Sequence, residues 1–479
     1  MTGRKPKLSQ LLAEERADES LVAWRTLPGG GGDRALSWAD FRSAVWGLVG
    51  GLAALRPGRV ALYTSDSYAF AVGLFAIWHA GRAAVCPPND QPDSLHGLSD
   101  VVIAAVSDGP GRVPGRPLIS TELEGRNDSR RVTLSREAAA LELFTSGTTG
   151  RGKAVPKAIH HLEDEVSALE TQLGTRVGEA AVFGSASHQH LYGMLFRVLW
   201  PLAAGRPFHA TTLLHAEELS SRLRDQNGCA LVSVPAHLKR LTERDGFAEL
   251  ARHCRVVFSS GGPLDPETAA RWEASMGAAP TEIFGSTETG GVAWRQQGLE
   301  RAGAAWTPFD GVRVARDAVD GRLRVHSRIA SVGTAQSGFA MGDRIRELDD
   351  GRFVVEGRVD RVLKIGEKRL SLPGMEERLR EHPLVEAAAL LPLEQGGETR
   401  VAAAVVLSDA GRSALAARGR RALGIELRDA LGREWDRVLL PRAFRFVAAL
   451  PEDSQGKVTL SLLRELFELP ASASPGSPA

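Results

Sequence analysis

The residues best suited to chemistry lie in one loop, Leu143 to Lys153, which reads LFTSGTTGRGK. Thr145, Ser146, Thr148 and Thr149 supply hydroxyls. Gly147, Gly150 and Gly152 let backbone amides approach an anion without steric conflict, and Lys153 adds a point charge. Together they make a cradle for a polyphosphate. The plainer reading is a flexible surface turn, against which the preceding strand and the run of hydroxyls weigh. Gly147 to Lys153 also satisfies G-x-x-x-x-G-K, the phosphate loop of nucleoside triphosphatases. That loop needs Ser or Thr after the Lys and a helix that opens there. Here Ala154 follows, and Val155-Pro156 breaks the helix, so the fit is poor.

A polyphosphate site also needs a carboxylate for a metal ion and a hydroxyl for the attacked phosphate. Later segments offer both. Ser260-Gly261-Gly262-Pro263-Leu264 is a second glycine-rich stretch, and Phe284-Gly285-Ser286-Thr287-Glu288 combines an aromatic, a hydroxyl and an acid. Met341-Gly342-Asp343, Gly357-Arg358-Val359-Asp360 and LPEDSQGKVTL, which contains Lys457, follow. Singly, each has a plain reading: an acid after a turn is commonly a solvated cap, and a Lys after Gly is commonly a surface residue.

As an ordered series from about Leu143 to Leu460, these segments resemble the motifs of the AMP-forming adenylate-forming superfamily: acyl-CoA synthetases, adenylation domains of peptide synthetases, and luciferases. The resemblance implies ATP as substrate and Mg2+ as its counter-ion. By that resemblance the first loop holds the β- and γ-phosphates, with Lys153 as an anchor. Gly261 and Gly262 lie beside the adenine, and Phe284 packs on it. Thr287 touches the α-phosphate, Glu288 binds magnesium, Asp343 accepts bonds from the ribose hydroxyls, and Arg358 contacts the nucleotide. Asp360 is the hinge of a small mobile domain whose Lys457 bridges the acid and the phosphate. The chain departs from the pattern at Gly152, Ala154 and Met341.

The implied reaction joins a small-molecule carboxylic acid to AMP, releases pyrophosphate, and passes the acyl group to a thiol. The acceptor is CoA or the phosphopantetheine of an acyl carrier protein; Glu367, where the family usually has Gly, leaves both open. An adenylate-only enzyme and a non-catalytic binding protein of the same fold are the other readings. Ser187 to Gly193, SHQHLYG, resembles the H-x-Y-G motif of fatty and aryl acid ligases and puts His190, Tyr192 and Gly193 at an acyl pocket. His190 can equally be a satisfied structural histidine. No Asp lies between Ser185 and Trp200 to pair an ammonium group, and Leu191 to Pro201 is apolar. Both points favour an aryl, fatty or hydroxy acid over an α-amino acid.

The elements that must position these residues alternate. Arg59–Thr64, Ala83–Cys86, Val101–Val106, Leu141–Thr145, Arg255–Ser259 and Thr281–Phe284 read as buried strands, with helices over Ser67–Ala80 and His161–Leu173. This pattern predicts an α/β fold: a large N-terminal domain of layered, mostly parallel sheets with helices, and ligand loops at the carboxyl ends of strands. Past Phe309 the pattern changes to hairpins turning at Asp320-Gly321 and Asp350-Gly351. A small α+β C-terminal domain follows. The expected division is 1–357, 358–469, and a Pro/Ser/Ala-rich disordered tail over 470–479.

Bulk composition bounds the rest. The 479 residues exceed one ordinary core, and Lys plus Arg at 59 nearly balances Asp plus Glu at 58. That balance gives no electrostatic reason to bind nucleic acid. Cys86, Cys229 and Cys254 are odd in number and far apart, which fits a reducing cytoplasm rather than a disulfide framework. The N-terminus lacks the apolar core of a signal peptide, and Ala69–Ala80 and Leu195–Gly205 are too short or interrupted to span a membrane. The expected location is the cytoplasm.

Overall fold

The structure of the protein, a computed structural model, describes residues 7–27, 29, 32–87, 90–109, 111–121, 130–145, 153–224, 226, 228–298, 305–331, 337–358, 362–365, 368–395, 398–451 and 460–468. Ser146, Gly147, Thr148, Thr149, Gly150, Gly152, Asp360, Glu367, Lys457 and the tail 470–479 lie outside the described residues. For Thr145, Lys153 and Arg358 the backbone alone is described. The chain divides into two compact units: a large one that ends with Ala154–Val359, and a small one built mainly on Asp360–Ala479.

The large unit contains two sheets. The first has the strand order Leu118–Ser120, Ala104–Ser107, Val60–Leu62, Ala84–Cys86, Ala139–Thr145, Lys153–Ala158. The pairings among the first five of these strands are parallel. Val60–Leu62, Ala84–Cys86 and Ala104–Ser107 are buried at every residue, which is why they read as short apolar runs without alternation. Val60–Leu62 is shorter than the expected Arg59–Thr64. The chain leaves the sheet there because the Ser65 N–H donates to the Asp108 carboxylate at 2.8 Å and the Thr64 carbonyl is taken by His188.

The helix Ser67–His79 starts at Asp66, whose side chain accepts from the Ala69 N–H at 2.7 Å. Every residue from Ser67 to Trp78 is buried, the pattern of a helix enclosed on all sides. Trp78 Nε1 donates to the Ala140 carbonyl at 2.8 Å, tying this helix to the strand that delivers Thr145. Phe41, on the helix Trp38–Ala53, meets the Phe75 ring edge-on at 5.8 Å.

The second sheet has thirteen strands. Its parallel part runs Leu21–Thr26, Phe208–His209, Ala181–Gly184, Cys229–Ser233, Cys254–Ser259, Thr281–Ser286. At Thr281–Ser286 the direction changes. Gly290–Gln296 returns antiparallel, then Ala305–Pro308, Phe353–Arg358, Phe339–Glu347, Arg322–Ser327 and Val312–Arg316 follow as an antiparallel series. The reversal requires glycine at 290. Its φ is +69°, and a Cβ there would lie 2.5 Å from Ile329 Cγ2 and 2.7 Å from Glu165 Oε2. The return strand Gly290–Gln296 has no counterpart in the sequence reading, because two glycines begin it.

The small unit has the hairpin Val362–Ile365 with Lys368–Ser371, and a sheet ordered Val385–Gln395, Glu398–Leu407, Ala443–Val447. The helices Leu372–Arg380 and Asp409–Leu431 supply Leu372, Met375, Leu379, Leu423, Leu427 and Leu431 to its core. Among the described residues no helix is long and apolar enough to cross a membrane.

Candidate active site at the parallel strand ends

Ala181–Gly184, Cys229–Ser233, Cys254–Ser259 and Thr281–Ser286 are successive parallel neighbours. Parallel strands share a direction, so the segments that follow them, at 185–190, 234, 260–264 and 287–289, leave from one edge of the sheet. This is the edge at which open α/β sheets bind ligands.

The glycine-rich segment is pinned to its neighbour strand from both ends. Ser260 Oγ donates to the Ile283 carbonyl at 2.8 Å, and the Leu264 N–H donates to Glu282 Oε2 at 3.0 Å. Glu282 is 1% exposed and is itself held by Arg295, at 2.8 Å, and Gln297, at 2.9 Å. Gly261 has φ +89°, a conformation that an L side chain resists. The backbone of Gly261 and Gly262 therefore stands in a fixed, side-chain-free path beside the strand that bears Phe284. Glu282 was not singled out in the sequence; its one signal was a charge inside the strand TEIF.

Phe284 is 7% exposed, with its ring 5.3 Å from Trp306 and 6.0 Å from Phe353. Most of that ring serves the core, leaving a small surface for a ligand. The next residues form a tight turn. The Thr289 N–H donates to Ser286 Oγ at 3.2 Å, and the Ser286 N–H donates to Thr289 Oγ1 at 3.1 Å. Thr289 is fully buried, whereas Thr287 and Glu288 are only partly buried. The turn spends Ser286 and Thr289 on its own geometry and presents Thr287 and Glu288.

Asp343 sits in the middle of Phe339–Glu347, 4% exposed, with Arg358 as its direct cross-strand partner. Residues opposite one another on antiparallel strands have Cβ atoms about 5 Å apart. The pleat thus brings together two residues that the sequence separates by fifteen positions. The Glu288 carbonyl accepts the Ser331 N–H at 3.1 Å.

His188, not His190, is the deeply buried histidine, at 3% exposure. Its Nε2 donates to the Thr64 carbonyl at 3.1 Å, and its ring lies 5.2 Å from Phe70. Burial, reinforced by the Arg197 cation, lowers its pKa to about 3 and keeps the imidazole neutral. His190 instead occupies the N-cap of the short helix Leu191–Met194 and is partly exposed. Tyr192 donates its hydroxyl to the Ser233 carbonyl at 3.2 Å. A Cβ on Gly193 would lie 2.1 Å from the Ser187 carbonyl oxygen. Tyr192 and Gly193 thus have a folding reason independent of any ligand, and His190 is the partly exposed histidine of the motif.

Known proteins agree with this architecture. Residues 12–315 match the family model described as AMP-binding enzyme. The 4-coumarate–CoA ligase of Rhodobacter capsulatus is 32% identical over 329 residues, covering 67% of this chain and 75% of that protein. The 4-hydroxybenzoate–CoA/benzoate–CoA ligase of Rhodopseudomonas palustris is 25% identical over 504 residues, covering 90% and 89%. Among solved structures, a malonyl-CoA ligase ternary product complex with methylmalonyl-CoA and AMP superposes with a TM-score of 0.78 at 22% identity, covering 93% of this chain and 100% of that one. The amide bond synthetase McbA of Marinactinospora thermotolerans gives a TM-score of 0.80 at 21% identity, covering 96% and 99%.

Proposed function

The chain belongs to the AMP-binding enzyme family, and we propose that it is an AMP-forming acid–thiol ligase that activates an aryl acid. The observation that carries this reading is the pair of loops on neighbouring strand ends: the glycine-rich segment 260–264, bonded through Ser260 to the Ile283 carbonyl, and the turn that presents Thr287 and Glu288.

In the first step a carboxylate oxygen attacks the α-phosphorus of ATP and pyrophosphate leaves. Both reactants are anionic, so the protein must align them and offset their repulsion. Thr287 donates to the α-phosphate, Asp343 accepts from the ribose hydroxyls with Arg358 opposite it, and Gly261 and Gly262 admit the adenine. The hydroxyls and amides of the loop 145–152, with Lys153 and Lys457, are further groups suited to anions by residue type. One carboxylate and a hydroxyl on a partly exposed turn suit magnesium, which is usually held by one or two carboxylates together with phosphate oxygens and water. Glu288 would hold it, and it would neutralise charge on the phosphates. In the second step a thiolate attacks the acyl carbonyl and AMP leaves.

The aryl preference rests on the H-x-Y-G-like segment with His190, the lack of an Asp between Ser185 and Trp200 to pair an ammonium group, and the aryl acids named in the R. capsulatus and R. palustris relatives. CoA is the first acceptor to test, with carrier-protein phosphopantetheine as the alternative. Pyrophosphate exchange over a panel of benzoates, cinnamates, fatty acids and amino acids tests the reading. Aryl-dependent exchange, followed by thioester formation with CoA, is expected. Exchange driven only by amino acids, or by no acid at all, would overturn it.

A further inference from the structure

A cation is buried beside the segment that the acid is read to meet. Arg197 is 1% exposed and lies in the wide turn Leu195–Leu199, where the Trp200 N–H donates to the Leu195 carbonyl five residues back. Turns of this π type are uncommon and recur at functional sites. Arg197 Nη1 donates to the Ala186 carbonyl at 2.5 Å and to Thr212 Oγ1 at 3.0 Å, and Nη2 donates to the Thr211 carbonyl at 3.1 Å. Ala186 follows the strand Ala181–Gly184, and Thr211 follows Phe208–His209, its parallel neighbour. One guanidinium thus ties two adjacent strand ends together.

Each end of that tie is anchored elsewhere. The Ala210 carbonyl accepts from the Ser67 N–H at 2.9 Å and from Ser67 Oγ at 3.0 Å, which fixes 210–212 against the start of the helix Ser67–His79. On the other side, Gly193 lets the helix Leu191–Met194 press on the loop it follows, and Arg197, about one turn later, reaches back to Ala186. The Ala186–Arg197 bond closes the segment 186–197 on itself, with His190 between its ends. A guanidinium stays charged at any ordinary pH, and burying one is costly unless its N–H groups are bonded. An apolar side chain of similar size would fill the same space without that cost. It could not hold two carbonyls at once, as a planar fork does.

We propose that Arg197 is a positioning residue for the carboxylic acid: it holds 186–190 against 210–212, so that the acid meets a preformed segment instead of one it must order. This rests on the reading of 187–193 as the acid-binding segment of a ligase. Preorganisation of this kind lowers the cost of binding without touching the reacting atoms. Its loss therefore falls on the affinity for the acid and spares the nucleotide, which is read to meet 260–264 and the Thr287–Glu288 turn.

The test is pyrophosphate exchange by Arg197→Met and Arg197→Lys, with the acid and ATP varied separately. Arg197→Met should raise the KM for the acid about tenfold, the scale of a lost hydrogen bond to a charged group, and leave kcat and the KM for ATP within about twofold. Lysine keeps the charge but not the fork, so Arg197→Lys should recover part of the loss. A merely structural role would lower the active fraction, and with it kcat, at an unchanged KM. That result would overturn the proposal, as would an equal rise in both KM values. If Arg197→Met does not fold, Thr212→Val removes one acceptor at nearly constant volume and should raise the acid KM about threefold; an unchanged KM there counts against the proposal equally. Amide hydrogen exchange, read by mass spectrometry on peptides covering 186–191, separates this proposal from the ligase reading. The Gln189 and His190 amides, each bonded within the loop at 3.3 Å, should exchange about tenfold faster in the same variant, with Cys254–Ser259 unchanged. Wild-type rates would sink the clamp. If no acid supports pyrophosphate exchange in the wild type, the ligase reading fails, and the amide rates still decide whether Arg197 holds the segment.

Discussion

The two units bury very different side chains. In the large unit Lys157, Glu165, Glu282, Arg197, His188 and His209 are all inside, whereas among the described residues of 362–468 the buried polar groups are Ser371 and Glu376. Burying a polar group is unfavourable unless it is bonded, so such groups persist where their bonds hold something in place. In the large unit they hold loops at strand ends. Glu282 fixes Leu264, Glu165 fixes Gly291, His188 fixes Thr64, and Arg197 reaches the carbonyls of Ala186 and Thr211. In the small unit Ser371 caps a helix and Glu376 accepts the Leu390 N–H, and apolar packing does the rest. The contrast separates a unit that fixes several loops at strand ends with buried polar groups from one held mainly by apolar packing.

That contrast can be broken at its extremes. The largest effect is expected from Lys457→Ala. If the small unit contributes one charged group to the first step, adenylation should fall by roughly 10²–10³, as for a lost oxyanion donor. Thioester formation from preformed acyl-adenylate should survive, and the melting temperature should not move. Single-turnover assays of the two half-reactions separate these outcomes; equal loss in both removes Lys457 from the adenylation step.

Gly193→Ala probes the large unit. A methyl at 2.1 Å from the Ser187 carbonyl must push the 187–190 loop away, at a cost of about 2 kcal/mol or more. A lower denaturation midpoint together with a raised KM for the acid is expected. Wild-type stability would mean that the loop yields freely and that the polar framework is softer than its bonds imply.

Acid should weaken the large unit in particular. Unfolded, His188 takes its proton near its ordinary pKa of 6.5; folded, it does so only near 3. As pH falls through that window the unfolded state binds the proton and the folded state does not, so stability is lost at about 1.4 kcal/mol per pH unit from this group. His237 and His79, both lowered to about 4, act in the same direction. Urea melts at successive pH values should show His188→Gln flattening the slope between pH 6.5 and 4. A slope identical to wild type would remove His188 as its cause.

The smallest effect belongs to Ser371→Ala. Its hydroxyl accepts the Gly374 N–H at 3.1 Å at the start of Leu372–Arg380, a bond worth about 1 kcal/mol. The change should lower the stability of the small unit by that amount and leave pyrophosphate exchange within about a factor of two.

Much of the frame was readable in the chain. Short apolar runs marked the parallel strands because both of their faces are covered, and Asp320-Gly321 and Asp350-Gly351 marked the hairpins because those turns need glycine's freedom. Glu282, Glu165 and Lys157 were not readable. A charged residue inside an apolar pattern looks like an interruption until the backbone group it serves is known, and those groups lie 18, 126 and 172 residues away. His188 and His190 show the same limit at short range. Two histidines spaced by one residue have equal standing in the sequence, and only the approach of Thr64 and Phe70 sends one inward and leaves the other at the helix cap.

The sequence by itself determined the order of the chemical segments and the alternation of strands and helices, because residue type and local spacing are written along the chain. It also carried the glycines without which the turn at Gly290 and the close approach at Gly193 could not form. Which polar groups go inside was decided by the tertiary structure alone. A buried charge is tolerated only beside its partner, and that partner comes from another strand or helix, so the choice exists only once the sheets have formed.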